Sequence, residues 1–541
     1  MKQAFRQSMA WLHTWCGLVV GWVLFFMFLT GTAGYFDTEI DRWMQPERPL
    51  AAREAPVAEA VSLALRRLQQ QAPQAERWFV GLPWDRNELD LRVFWRELPD
   101  AAGKRGRSRS EQLDLATGEP LVRRDTGGGQ LLYRMHYVLH YMPTLVAYWI
   151  VGICTMFMLA AIVTGVIIHK KIFRDFFTFR SAKGQRSWLD AHNILSVTAL
   201  PFHLMITYSG LIFFMYLYMA PVISATYGAG EENRRVFFDE LFERSDLPDR
   251  AGIAAPMAAL APMLAEAERR WGRGEVRFVD IRNPGDANAR VIVGRPQDSP
   301  LRASGQLVFD GVSGALLKAG DAVLSVPKAV RDVLLGLHEG LFAGPVLRWL
   351  YFLSGLAGTA MIGAGLVLWT AKRRSRREAA GRAAQAGLAV VDRLNVGTIA
   401  GLPIGIAAYF LANRLIPVAV DGRAAWEAHA MFIVWSTALL WAAMRPLGRA
   451  WIELLAVAAA VYGLIPAVNA IMTDRHLAVT LPYAARSGDW VLAGFDLAMI
   501  GFAMVFAVAA WRLRRRMLAS AVLSPHASRG LAAERTAEAA E

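Results

Sequence analysis

Ten histidines among 541 residues are few, and their placement carries most of the chemistry legible in this chain. Seven of them lie on or beside four apolar stretches: His13, His136, His140, His169, His192, His203 and His338. Ionisable side chains are costly within a membrane and mark function by default. Imidazole is a strong iron ligand, and haem in a helical bundle takes its ligands from facing helices. Taken singly, a histidine near a membrane interface caps a helix or meets headgroups as readily as it binds iron. A pattern among them is needed to separate the two readings.

An internal duplication supplies that pattern. The first apolar stretch opens with Trp11-Leu-His13 and reaches Thr30-Gly31, ending eighteen residues after the histidine. The third opens with Trp188-Leu-Asp-Ala-His192 and reaches Ser209-Gly210 at the same interval. The second and fourth are entered by Leu139-His140 and Leu337-His338, and leave through Thr164-Gly165 and Ala364-Gly365. The unit helix–outer domain–helix thus occurs twice. Both copies start on one side of the membrane, so a pseudo-two-fold axis runs along the membrane normal. Such an axis brings His13 towards His192 and His140 towards His338, giving two candidate bis-histidine haem sites, one near each membrane face.

The other histidines leave alternatives open. His203 follows His192 by eleven residues, which on a straight helix puts it within about 20° of the same face and about 16.5 Å away. It forms a second rung there, as a ligand or not, and Pro201 before it is placed to kink the helix. His169 competes for the inner site. His136 shares a face with His140 at i, i+4 and has no counterpart in the second copy. His140 and His169 would stand about 43 Å apart on one continuous helix, a gap that His203 would fill.

The elements that must position these residues are membrane helices. The chain is 55% hydrophobic and only 19% charged, where soluble domains carry about a quarter charged residues. Eight runs at 18–36, 145–168, 194–220, 346–369, 396–415, 426–444, 451–471 and 490–511 approach or exceed the ~20 residues that span a bilayer. The first has no convincing small-residue cleavage site and reads as a span. The net charge of +13 would suit nucleic acid if it were spread over a soluble surface. Instead the basic residues cluster at Lys2 and Arg6, at 170–186, at 372–382 and at 512–516. All four clusters fall on one side if both termini are cytoplasmic, so the surplus marks orientation and no nucleic-acid partner is expected.

The resulting plan is a polytopic α-helical membrane protein of about eight helices. It runs as helix 1–36, outer domain 37–143, helix 144–169, basic loop 170–187, helix 188–220, outer domain 221–337, helix 338–371, basic linker 372–395, an appended four-helix module 396–511 and a tail 512–541. Each outer segment mixes a helical stretch (55–71; 257–271) with short alternating strands. Each ends a strand in the same turn, Asp114-Leu-Ala-Thr117-Gly118 and Asp310-Gly-Val-Ser313-Gly314, where Asp caps the turn and Gly supplies positive φ. Both read as small α+β domains. Cys16 and Cys154 cannot make a disulfide scaffold or a zinc site. No G-x-G-x-x-G opens a helix after a strand, so no flavin or NAD domain is expected in this chain.

At these residues the chain resembles the PepSY-associated transmembrane-helix family of iron-regulated bacterial inner-membrane proteins, which includes ferric-siderophore reductases. The likeness rests on Leu12-His13, on Thr164-Gly165-Val-Ile-Ile-His169-Lys-Lys, on Leu189-Asp190-Ala-His192-Asn193 with Pro201-Phe-His203, and on Leu337-His338-Glu339-Gly340. It covers residues 1–380, and the two Asp turns resemble the ends of PepSY domains. The resemblance implies b-type haem in a four-helix core; with the two pairs read from the duplication, that makes two haem b groups with iron held by His13, His192, His140 and His338. It implies a multi-pass protein of the bacterial inner membrane with both outer domains in the periplasm. Electrons from a separate cytoplasmic donor or from quinol would then reduce a periplasmic ferric siderophore and release Fe(II) for iron homeostasis.

Electron transfer of this kind needs no catalytic acid, base or nucleophile in the chain. Asp190 and Glu339, near two of the histidines, either orient a ligand or cap a helix. Trp78, Trp84, Trp95, Tyr133 and Tyr141 would pack a siderophore or else serve as domain core and interfacial belt. In the appended module Arg414, Glu427, His429, Asp474, Arg475 and His476 form a polar cluster or are solvated in loops. Two other functions fit the same plan. One is a siderophore or haem transporter, which eight helices and an internal repeat would suit. The other is a non-enzymatic membrane protein whose PepSY-like domains bind a periplasmic partner.

Overall fold

A computed structural model describes residues 3–51, 55–84, 86, 88–100, 104, 106–169, 179–180, 184–242, 247–295, 305–321, 326–374 and 382–538. Most of the basic loop 170–186 and seven of the eleven residues 372–382 lie outside these residues. The chain divides into two compact units, Met1–Pro46 with Arg124–Thr207 and Trp349–Glu541, and Glu47–Arg123 with Tyr208–Arg348.

The first unit is helical. It opens with α1 (Gln3–Ala33) and α2 (Asp37–Met44). The second unit then contributes α3 (Val57–Gln71), after which the chain returns through α4 (Gly128–Val138) and α5 (Thr144–Ile168). Next come α6 (Gln185–Thr198) and α7 (Leu200–Phe213), the latter running past the division of the units. Seven helices among the described residues are long and apolar enough to cross a membrane, and α6 with α7, bent by 70°, would make an eighth. The expected third span is therefore broken rather than straight. The break falls at Ala199, just ahead of Pro201, where a missing N–H and a fixed φ are tolerated only in a helix's first turn. The straight-helix spacing of His192 and His203 accordingly does not hold.

The second unit holds a single seven-stranded antiparallel sheet. Its strands are β1 (Ala75–Gly81), β2 (Leu91–Glu97), β3 (Ser108–Leu113), β4 (Phe278–Arg282), β5 (Arg290–Arg295), β6 (Gly305–Asp310) and β7 (Leu316–Asp321), in the order β3-β2-β1-β4-β5-β6-β7. Each expected α+β segment is present, but the two share one sheet because β1 pairs with β4, Phe79 opposite Asp280. A bidentate ion pair from Arg77 to Asp280 at 2.7 and 2.9 Å spans that seam. Alternation puts Trp78, Val80, Val93, Val279, Ile281 and Val291 on one face. There they bury the apolar stripes of α3 and of α8 (Leu260–Trp271). Both Asp turns form as read. Asp114 Oδ1 accepts from the amides of Ala116 and Thr117, Asp310 Oδ1 from those of Val312 and Ser313, and Gly118 and Gly314 take φ of 74° and 78°.

The chain then forms α9 (Val326–Glu339) in the second unit and α10 (Pro345–Arg374), most of which is back in the first. The added helices are α11 (Arg382–Ile399), α12 (Gly401–Leu415), α13 (Arg423–Met444), α14 (Leu447–Met472), α15 (Leu477–Ser487) and α16 (Val491–Glu538). The stretch 372–395, read as a linker, thus includes much of α11, and the tail continues α16. These helices are not an independent module. Trp22 of α1 donates to Asn395 of α11 at 3.0 Å, Phe26 stacks on Trp435 of α13 at 5.6 Å, and Arg42 of α2 pairs with Asp489 at 2.8 Å.

Candidate haem site between the repeated helices

His13 of α1 and His192 of α6 stand with ring centres 6.2 Å apart and planes at 77°. Each is held alike. The Nδ1 of His13 meets the Ala161 carbonyl of α5 at 2.9 Å, and the Nδ1 of His192 meets the Met361 carbonyl of α10 at 2.9 Å. A carbonyl can only accept, so Nδ1 carries the proton and Nε2 is the basic nitrogen in both rings. Four residues after each carbonyl stands a glycine. A Cβ on Gly165 would lie 3.3 Å from His13 Cε1, and one on Gly365 would lie 3.2 Å from His192 Cε1. The two glycines that mark the duplication in sequence are thus the places where the imidazoles lie against the neighbouring helix.

The pair opens into a cavity of about 480 Å³, within the range of small-molecule and cofactor pockets. Its walls are mainly apolar, with Leu18, Leu24, Phe157, Met158, Ile362 and Leu366 among them. His169 and His203 also line it. Two imidazoles on one metal, each at about 2.0–2.1 Å, stand roughly 6.3 Å apart centre to centre. The observed separation, the matched Nδ1 tethers and the apolar space beside the rings fit a bis-histidine haem. No group of three or more His, Cys, Asp or Glu suited to a metal ion occurs among the described residues; a haem held by His13 and His192 would need only these two.

His203 is built differently. It is 1% exposed, and its Nε2 rather than its Nδ1 meets a carbonyl, that of Ser354 at 3.3 Å, beside Gly358. Phe28 packs edge-on against its ring at 6.2 Å. In the first copy the corresponding residue, by the spacing that relates His13 to His192, is the buried Leu24. The duplicated core is therefore symmetric at the histidine pair and asymmetric one level further along.

The remaining histidines fall into other settings. His136, in the last turn of α4, packs on Gly31 of Thr30-Gly31, and burial pushes its imidazole down to about 4. In the second unit, His338 in the last turn of α9 shares a 2.9 Å hydrogen bond with Ser209 of Ser209-Gly210. By packing, His136 is the counterpart of His338, although the Leu-His dipeptides had matched His140 to it. His140 is not on a helix. It sits in a turn of three consecutive left-handed residues, Leu139, His140 and Tyr141, with φ of 57°, 52° and 48°. This turn separates α4 from α5, so the 43 Å continuous-helix distance does not apply. His140 stacks on Phe432 of α13 at 5.5 Å, and Tyr141 is hydrogen-bonded to His429. Burial, and then the neighbouring His429 ring and Arg134 guanidinium, push the His140 imidazole down. His140 belongs to the first unit and His338 to the second.

Polar residues near the site resolve as follows. Asp190 pairs with Arg180 at 2.7 Å rather than touching His192. Burial raises the Glu339 carboxyl. Trp78 and Trp95 are sheet core, each 4% exposed, and Arg277 lies over the ring of Trp84. In the added helices Arg414 and Glu427 do cluster, buried with Arg423 and Asp496, which the sequence reading missed. Glu427 accepts from Arg423, Asn413 at 2.8 Å, Thr126 at 2.6 Å and the Gly127 amide at 3.1 Å. Arg414 donates to Asn469 at 2.8 Å and to the Trp43 carbonyl, and Trp43 donates to Asp496 at 2.9 Å. Alternating Arg and acid three to four residues apart, as in Arg423 and Glu427, was the available signal. Asp474 is exposed, and His476 precedes α15.

The pattern of the PepSY-associated TM region matches residues 10–372, which include both copies of the repeat and the whole histidine cavity except Arg373. The chain belongs to the PepSY-associated TM family. A Pseudomonas aeruginosa protein described as the uncharacterized protein PA4219 is 25% identical over 295 residues, covering 52% of this chain and 72% of that one. For this PepSY-associated TM protein the family match ends with α10. Helices α11–α16 lie beyond it, although Glu427 and Asn413 bond back to residues within it.

Proposed function

We propose that this protein is a haem-containing oxidoreductase of the bacterial inner membrane that passes electrons to a ferric siderophore in the periplasm. The observation that carries the reading is the His13/His192 pair, 6.2 Å apart with both Nδ1 atoms tied to backbone carbonyls. Haem bound there would supply a one-electron carrier cycling between Fe(III) and Fe(II). The protein's part is to hold both imidazoles in one tautomer, to orient them through Ala161 and Met361, and to keep water away with apolar walls. Low polarity around the rings and the absence of acidic side chains among the cavity-lining residues set the electrostatic surroundings of the bound group. Siderophores bind Fe(III) far more tightly than Fe(II), so one electron delivered to the chelate releases the metal. Both termini lie in the cytoplasm in this reading, with a separate donor protein or quinol as the electron source.

The test is a dithionite-reduced minus oxidised visible spectrum of the purified protein, followed by reoxidation with a ferric siderophore. Bis-imidazole haem bands that reoxidise on adding the chelate are expected. A protein purified without haem from iron-replete, haem-sufficient cells would sink the proposal.

A further inference from the structure

We propose that Trp369, Lys372 and Arg373 form a carboxylate-binding mouth to the histidine cavity, taking the acid side chains of the macrocycle held by His13 and His192. The inference rests on the haem reading and adds the orientation of the bound group. All three residues line the cavity and come from the last turns of α10. Lys372 follows Gly365, the residue beneath His192, by seven positions. It therefore lies within about 20° of the same helix face and about 10.5 Å further along. Gly365 marks the level of the imidazoles, so Trp369 sits about one turn, and Lys372 and Arg373 about two turns, further along α10 towards its C-terminal end.

Their chemistry is one-sided. An indole N–H, an ammonium and a guanidinium only donate. The Trp369 Nε1 is buried without a hydrogen-bond partner. Leaving such a donor unmet costs free energy that an occupant's oxygen would recover. The Arg373 guanidinium lies 3.6 Å above the Trp369 ring and also donates to the Trp369 carbonyl at 3.3 Å, which fixes the two together. No acidic side chain lines the cavity among the described residues. The site is thus an apolar chamber with two imidazoles at one level and cationic donors at its mouth. That suits an amphiphile whose anionic end faces the mouth, and iron protoporphyrin IX carries its two carboxylates on one edge.

Full-length apoprotein from haem-starved cells should be titrated with iron protoporphyrin IX and with its dimethyl ester, reading the Soret band. Wild type should bind the free acid at least about 10-fold more tightly than the ester, as expected for charge-assisted hydrogen bonds. The double variant Lys372→Gln/Arg373→Gln should bring the ratio near unity by weakening the acid alone, and Trp369→Phe should narrow it in part. Equal affinity of wild type for acid and ester would overturn the proposal and leave the mouth to a lipid headgroup. A preference that survives the double variant would overturn it as well. Absence of a bis-imidazole spectrum with either compound would instead remove the haem reading on which it rests.

Discussion

Gly165 and Gly365 stand in one relationship to His13 and His192. Each lies four residues past the carbonyl that holds the imidazole, and each leaves the ring room that a methyl group would take, at 3.3 and 3.2 Å. Alanine at either position favours the helix by about 0.5–1 kcal/mol yet presses on the ring. Gly165→Ala and Gly365→Ala should therefore keep or raise thermal stability of the apoprotein while lowering haem content. Unchanged haem per protein in both variants would mean that the rings have slack the geometry denies.

His13 and His192, the proposed ligands, meet carbonyls through Nδ1, and His203 does so through Nε2. His13→Ala and His192→Ala should each abolish the haem bound between them. His203→Leu, which restores the residue at the corresponding place in the first copy, should retain it. Pyridine haemochrome assay gives the count, and loss of one haem equivalent in His203→Leu would make His203 a ligand.

Arg423 and Glu427 are both fully buried and paired. Removing one partner leaves the other charge uncompensated, at a cost of about 3–5 kcal/mol. Glu427→Leu should lower the melting temperature in detergent sharply. The double variant Arg423→Met/Glu427→Leu should recover part of that loss, because no lone charge is then buried. A double variant no better than the single would place the cost in the Thr126 and Asn413 bonds instead.

His136 is neutral in the folded protein down to about pH 4, because burial disfavours its charged form. An unfolded histidine titrates near 6.5. Between these values the unfolded state binds the extra proton, so stability falls as pH drops from about 6.5 towards 4 and is complete above it. His136→Gln lacks this term. Its melting temperature should decline less than wild type's over that window, and parallel declines would remove His136 as the cause.

Much of this architecture is legible in the sequence because it depends on local properties. Run length and apolarity define the spans, and alternation defines the strands of each α+β segment. The eighteen-residue interval from His13 to Gly31 and from His192 to Gly210 reveals the repeat, and with it the pairing of the two histidines. The Asp114 and Asp310 turns follow from side chains that bond their own backbone within three residues.

Other features are set by contacts between residues distant in sequence, which no local pattern encodes. That β1 and β4 join the two α+β segments in one sheet depends on edge pairing between strands whose Arg77 and Asp280 stand 203 positions apart along the chain. His136, rather than His140, packs on the first copy's Thr30-Gly31 because three left-handed residues end α4 and turn His140 towards α13. Arg423, Asp496, Thr126 and Trp43 come together only when the added helices pack on α1, α2 and the loop before α4. The sequence determined the spans, the repeat and the histidine pair, since hydrophobic period and residue spacing act along the chain. Tertiary structure alone decided which carbonyl each imidazole meets, and so which ring nitrogen carries the proton.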